Sequence, residues 1–273
     1  MAPPPSLPPE TRLGAVHLRV ADLEGVTRWY EDALGFTVLA EDAATAALGV
    51  EDGPPLLVLH GAPNAPVPPP GATGLYHVAF LLPSRPALAA TIVRAREAGV
   101  PFTGFADHNV SEAAYLNDPE GNGLELYADR DRSVWRMSDG HIFITTEPLD
   151  LSGLLAGATA PTERLPAGTR VGHLHLRVSD LDAAEAFYVR RLGFDVTARI
   201  RGAVFVSAGG YHHHLGLNVW AGEGARRPPE GSLGLASFDL VVPSMDARVR
   251  ILGDLGEGTV FDLDDNGIRL VRG

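Results

Sequence analysis

The chain has 273 residues, long enough for two domains of ordinary size, with 45% hydrophobic and 21% charged residues, the balance of a soluble globular protein. A net charge of −12 offers nothing to attract nucleic acid or an anionic membrane, so neither is expected as a partner. Cysteine and lysine are both absent, which excludes disulfides, thiolate metal sites, cysteine nucleophiles, Schiff-base chemistry and a P-loop lysine, and leaves histidine and carboxylate as metal ligands.

No apolar run approaches the roughly 20 residues that span a bilayer, and no basic-then-apolar signal opens the chain, so a cytoplasmic location is expected. Residues 1–12 read as a Pro-rich, disordered lead-in. Alternation then predicts a strand over 15–20, and Asp22 caps a helix over 23–34 that carries Val26, Trp29, Tyr30 and Ala33 at helical spacing and stops at Gly35. Strands near 37–40, 46–50 and 55–60 complete the first module. After a Pro-rich loop (61–73) the plan repeats: strand 76–82, helix 85–98, strands near 102–106, 112–117 and 123–128. Residues 129–169 form a long connection with a short helix after Asp150. The third module has a strand at 173–178, a helix over 181–192 and strands near 195–201, 203–207 and 212–220. The fourth is shortened: strand 237–242, helix 246–255, strands 258–263 and 267–271.

The repeat is explicit in sequence. Leu13-Gly-Ala15-Val-His17-Leu-Arg-Val20 returns as Val171-Gly-His173-Leu-His175-Leu-Arg-Val178, and Leu-Gly-Phe closes the helix at 34–36 and again at 192–194. The expected fold is therefore α+β: four βαβββ modules, each a curved half-barrel that needs a partner, paired into two cups, with domains over 13–128 and 170–273.

The third position of each first strand is Ala15, His77, His173 and Asp239 in the four modules. The closing strand of module 2 carries Glu125, where module 4 has Arg269. Modules 2 and 3 thus keep two histidines and a carboxylate that modules 1 and 4 have lost. Such a trio holds one face of an octahedral divalent ion and leaves the other open, which suits iron(II) or manganese(II), with zinc as the competitor. Taken singly, either histidine would ordinarily be a core residue bonded to backbone; the shared register with Glu125 singles them out. His17 and His175 occur in both copies and read as scaffold, a site built from His17, His77 and Glu125 being the alternative. In His212–His214, alternation along a strand turns His213 away from its neighbours; module 1 has Leu56-Leu-Val there, so His213 is the functional candidate and its neighbours receive no role. His60 and His141 have no visible partner, Trp29, Phe36, Phe187 and Phe194 read as core, and the 118–123 turn is a hairpin rather than a calcium loop.

Four motifs carry a family resemblance: Gly172-His-Leu-His-Leu-Arg-Val; Tyr211-His-His213-His-Leu-Gly-Leu; Leu75-Tyr-His77-Val-Ala-Phe; and His108 followed by Tyr115-Leu-Asn-Asp-Pro-Glu-Gly-Asn-Gly-Leu-Glu125. In these the chain resembles the type I extradiol ring-cleavage dioxygenases, the catechol 2,3-dioxygenase kind, within the vicinal oxygen chelate (glyoxalase–bleomycin resistance) superfamily. The resemblance implies iron(II), or manganese(II), on His77, Glu125 and His173, O2 as co-substrate, a small aromatic diol opened beside its hydroxyls, and often a homo-oligomer. It implies a proton-transfer role for His213, expected as a group titrating near neutrality, and hydrogen bonds from Tyr115 and His108 to the substrate oxygens. The order departs from better-known members, since His77 and Glu125 precede His173; the three meet only if module 2 pairs with module 3 and module 1 with module 4. The alternatives are a glyoxalase- or epimerase-like metal isomerase, whose sites usually use more carboxylate or glutamine than this glutamine-free chain offers, and a metal-free binding protein of the bleomycin-resistance kind.

Overall fold

The computed structural model describes residues 6–158, 163–253 and 258–272. Module 1 comprises β1 (Arg12–Val20), α1 (Leu23–Leu34), β2 (Thr37–Glu41), β3 (Thr45–Gly49) and β4 (Pro55–Gly61). Module 2 comprises β5 (Gly74–Leu81), α2 (Arg85–Glu97), β6 (Phe102–Asp107), β7 (Ser111–Asn117) and β8 (Gly123–Asp129). The connection holds β9 (Met137–Ser138), β10 (His141–Ile142), β11 (Glu147–Pro148) and α3 (Leu151–Ala156). Module 3 has β12 (Arg170–Arg177), α4 (Leu181–Glu185), β13 (Asp195–Ile200), β14 (Ala203–Ser207) and β15 (Leu215–Asn218); module 4 has β16 (Gly234–Val241), α5 (Met245–Leu252), β17 (Gly258–Phe261) and β18 (Gly267–Val271). The expected end of the last helix, and residues 1–5 of the lead-in, lie outside the described residues.

The strands form two large sheets, each drawing on both halves of the chain. One runs β11-β6-β7-β8-β5-β12-β15-β14-β13 and the other β17-β18-β16-β1-β4-β3-β2. Their central joints are the antiparallel pairs β5–β12 and β1–β16. Module 2 therefore closes with module 3 and module 1 with module 4, the arrangement that lets residues from distant parts of the sequence share one cup.

Matching bonds tie the two cups to each other. The Tyr30 hydroxyl donates to Asp118 (3.2 Å), linking α1 to the hairpin turn of module 2, and Tyr188 donates to Asp262 (2.9 Å), linking module 3 to the turn of module 4. Inside each turn the aspartate accepts a second set of bonds, from the Glu120 and Asn122 N–H groups in one and from Asp264 and Asn266 in the other. The 118–123 segment is thus a structural hairpin, as its composition suggests. The lead-in is anchored from Leu7 onward: that side chain is buried, and its N–H donates to Gly193 O (2.7 Å), mirrored by Leu165 N–H on Gly35 O (2.6 Å). A continuous apolar core passes through all four modules, with Phe36 edge-on to Phe80 at 5.1 Å.

Two local expectations change. The helix expected over 181–192 is α-helical only to Glu185 and then widens into a π-helical segment, Ala186–Leu192. The last strand of module 3 begins at Leu215, so His212–His214 are not strand residues and do not alternate. His214 explains the loop. Its Nδ1 takes the Ala208 N–H (3.2 Å) and lies 3.0 Å from the Ser207 hydroxyl, closing 207–214 on itself.

Candidate metal centre

The sheet register assembles the centre. On β12, His173 lies opposite Ala79 of β5 and His175 opposite His77; on the other side of β5, Ala79 lies beside Glu125 of β8. Laterally paired residues project to the same face, so Glu125, Ala79 and His173 form a row across three strands, with His77 two residues along. Ala79 in the middle has only a methyl group. The long side chains on either side can therefore close above it.

They do. Glu125 Oε2 lies 3.0 Å from His77 Nε2 and 3.1 Å from His173 Nε2, and all three residues are buried. With bonds of about 2.1 Å, ligands at right angles around one ion stand about 3.0 Å apart, the spacing found here between Glu125 and each histidine. His77 Nε2 is buried and, although 3.0 Å from Glu125 Oε2, makes no well-directed hydrogen bond, a position that a cation would satisfy. Protonation states also suit a cation. Burial would raise the Glu125 carboxyl, but His173 and His77 beside it outweigh burial and hold it well below the usual range. Burial lowers His173 to about 4, against the opposing pull of Glu125. The trio therefore presents an ionised carboxylate and a neutral imidazole at neutral pH, the forms that bind metal.

His175 is the rival third ligand, since nitrogens of His77, His173 and His175 all lie within 4.8 Å of one another. Its Nε2, however, is engaged 3.2 Å from His213 Nε2 and sits against Gly216, where a Cβ would overlap it. Its ring stacks on His77, centroids 4.4 Å apart, and packs as a wall. Glu125 fits the third place better.

The trio lines a cavity of about 600 Å³ that also receives His213, Tyr115 and His108. Every site residue expected from the sequence therefore faces one space. His108 Nδ1 lies 2.7 Å from Thr145 O, which can only accept, so Nδ1 carries the proton and Nε2 takes the Tyr115 hydroxyl at 2.6 Å. Burial, with Glu125 nearby, raises Tyr115 well above its ordinary value and keeps it a phenol. Burial, followed by His173, pushes His213 well below the usual imidazole range. The expectation of a group titrating near neutrality is thus corrected: His213 is a neutral imidazole. Ile144 and Thr145, from the long connection, also line the cavity, a wall the sequence did not announce.

His17 lies in the other sheet. There it meets His60 (3.1 Å), accepts from Arg269 Nη1 at 2.6 Å and stands 3.4 Å from Asp239. This overturns the alternative site of His17, His77 and Glu125, and it supplies the partner that His60 lacked in sequence. Where the first cup has a carboxylate, the second has a guanidinium, which repels a metal cation. Asp129 of the first cup escaped notice, and it lies 2.9 Å from His212, to which the sequence assigned no role. Period-2 counting from Glu125 along β8 would have put Asp129 on the same face.

Residues 12–126 and 170–265 match the Glyoxalase/Bleomycin resistance protein/Dioxygenase superfamily, and the chain belongs to it. It is 44% identical over 247 residues to a catechol-2,3-dioxygenase of Bacillus subtilis (strain 168), covering 88% of this chain and 86% of that one. It is 32% identical over 120 residues to biphenyl-2,3-diol 1,2-dioxygenase 3 of Rhodococcus globerulus, covering 43% and 63%. Among solved structures, glyoxalase I from Zea mays shares the fold at a TM-score of 0.59, with 17% identity, 96% of this chain and 92% of that one covered. Among the described residues no helix is long and apolar enough to cross a membrane.

Proposed function

We propose that the protein is an iron(II)-dependent extradiol dioxygenase that opens a catechol-type ring beside the diol, using O2. The observation that carries this reading is the approach of His77 and His173 to one oxygen of Glu125 at 3.0 and 3.1 Å, on the wall of a cavity that also holds His213 and Tyr115. The similarity to a catechol-2,3-dioxygenase over most of the chain supports the same chemistry. His77, His173 and Glu125 would hold the ion, which when bound supplies Lewis acidity to the diol hydroxyls and redox chemistry toward O2.

The remaining residues handle protons and orientation. Neutral His213 accepts a diol proton in the cavity and returns it as the ring opens. Tyr115 spends its proton on His108, so its oxygen is free to accept from a substrate hydroxyl, and the His108–Thr145 bond holds that pair in place. Burial of the ligands and of His213 keeps bulk water from competing for the same protons. The test is oxygen uptake with catechol after anaerobic iron(II) reconstitution, following the yellow 2-hydroxymuconic semialdehyde-type product. Absence of uptake in iron-loaded protein would refute the reading. Turnover of an isomerase substrate without oxygen would move the chain to the glyoxalase-like chemistry.

A further inference from the structure

His212 and Asp129 are buried or half-buried polar groups that the proposed chemistry leaves unused. Asp129 ends β8. Its Oδ1 lies 2.9 Å from His212 Nε2 and accepts the Tyr211 hydroxyl at 3.2 Å; the Tyr211 oxygen is in turn 2.8 Å from that of Tyr127. His212 is fully buried, its ring 4.1 Å from Tyr211 and 5.3 Å from Trp135 between centroids. Its second nitrogen, Nδ1, lies 2.7 Å from His213 Nδ1, and His213 Nε2 lies 3.2 Å from His175 Nε2. His175 lines the cavity and His212 does not, so Nε2 is the cavity-side nitrogen of His213.

We propose that Asp129 and His212 are positioning residues that lock His213 in the tautomer with a bare Nε2 toward the cavity. The inference rests on the role proposed for His213 above. It follows the hydrogen bonds inward from Asp129. A carboxylate only accepts, so His212 Nε2 carries a proton and donates to Asp129. With its proton on Nε2, His212 presents Nδ1 as an acceptor, and the nitrogen 2.7 Å away is then the N–H of His213. His213 with its proton on Nδ1 has an unprotonated Nε2, and a substrate proton is taken there by displacing the 3.2 Å bond to His175.

The far end supplies an independent check. If His213 Nε2 is bare, His175 must donate its Nε2–H to it, which leaves His175 Nδ1 bare. His175 Nδ1 is the nitrogen that lies buried without a partner, and an unmatched lone pair costs less there than an unmatched N–H would. An aspartate that sets an imidazole tautomer is the device of the Ser-His-Asp triad, here extended by one ring.

The test uses full-length protein with 15N-labelled histidine, freed of metal by chelation. His213 is expected to be protonated at Nδ1 and bare at Nε2, its signals assigned by their loss in His213→Phe. In Asp129→Asn the amide can donate to His212, reversing both rings and moving the His213 proton to Nε2. The iron-loaded variant should lose about 10²-fold or more in kcat, with KM for catechol within about threefold of the parent. A parent spectrum with His213 protonated at Nε2, or an Asp129→Asn enzyme with unchanged kcat, overturns the proposal. The parent spectrum decides even if Asp129→Asn does not fold. It also needs no turnover, so it stands or falls separately from the extradiol reading.

Discussion

Binding of iron(II) or manganese(II) should stabilise the folded chain, and the stabilisation should pass through three named side chains. Glu125 Oε2 already stands 3.0–3.1 Å from the ligand nitrogens of His77 and His173, the spacing an ion needs, so binding requires little rearrangement, and the unfolded chain offers no such site. At a free metal concentration 100 times Kd, this linkage is worth about 2.7 kcal/mol. A chain of this size gains roughly 2–4 °C in Tm per kcal/mol, so the expected rise is about 5–11 °C. The assay is anaerobic thermal unfolding with increasing metal, on the parent and on four single variants. His173→Ala and Glu125→Gln should abolish the rise. His17→Ala should keep it, because His17 sits against Arg269 in the other cup. His175→Ala should keep most of it, because its Nε2 is turned to His213. A rise that survives His173→Ala but vanishes in His17→Ala or His175→Ala would refute the reasoning.

His213→Ala should retain the metal-linked rise but lower turnover by about 10²-fold or more, since only a proton carrier is lost; unchanged turnover would remove it from the chemistry. The metal-free protein should weaken steeply in acid. His173, at about 4, and His214, pulled to about 3 chiefly by burial, both lie below the ordinary imidazole value, so the unfolded chain binds more protons as pH falls below about 6.5. For His173 this costs on the order of 3 kcal/mol by pH 4, and a Tm that stays level from pH 7 to pH 5 would contradict it. Gly172→Ala should cost about 1–3 kcal/mol, because its Cβ would overlap the Tyr127 phenol oxygen beside His173; chemical denaturation measures it, and a neutral result would show that Tyr127 moves freely.

Much of this protein was legible before its structure. The helix over Leu23–Leu34 follows from its Asp cap and apolar spacing, and β4 and β14 from short apolar runs between turns. The candidate ligands emerged from comparing one copy of a repeat with another, since Ala15 against His173 and Arg269 against Glu125 mark which modules kept metal-binding groups. Such signals are local. Period-2 alternation states which face a side chain takes, and a repeat transfers that statement from module to module.

What periodicity cannot state is which strand comes to lie alongside. The pairing of β5 with β12 joins residues about a hundred positions apart, and only that register sets His173 across Ala79 from Glu125. The companion pairing of β1 with β16 puts His17 in a cup where Arg269 takes the carboxylate's place. His212–His214 depended on tertiary structure for a further reason: side-chain bonds from His214 to the Ala208 N–H and the Ser207 hydroxyl close a turn over 207–214, so each ring points where a partner waits rather than where alternation would send it. The sequence by itself determined the modules and the kinds of chemistry they can carry. Tertiary structure decided which groups meet, because a contact between distant strands depends on the closure of the whole sheet and not on any stretch of chain within it.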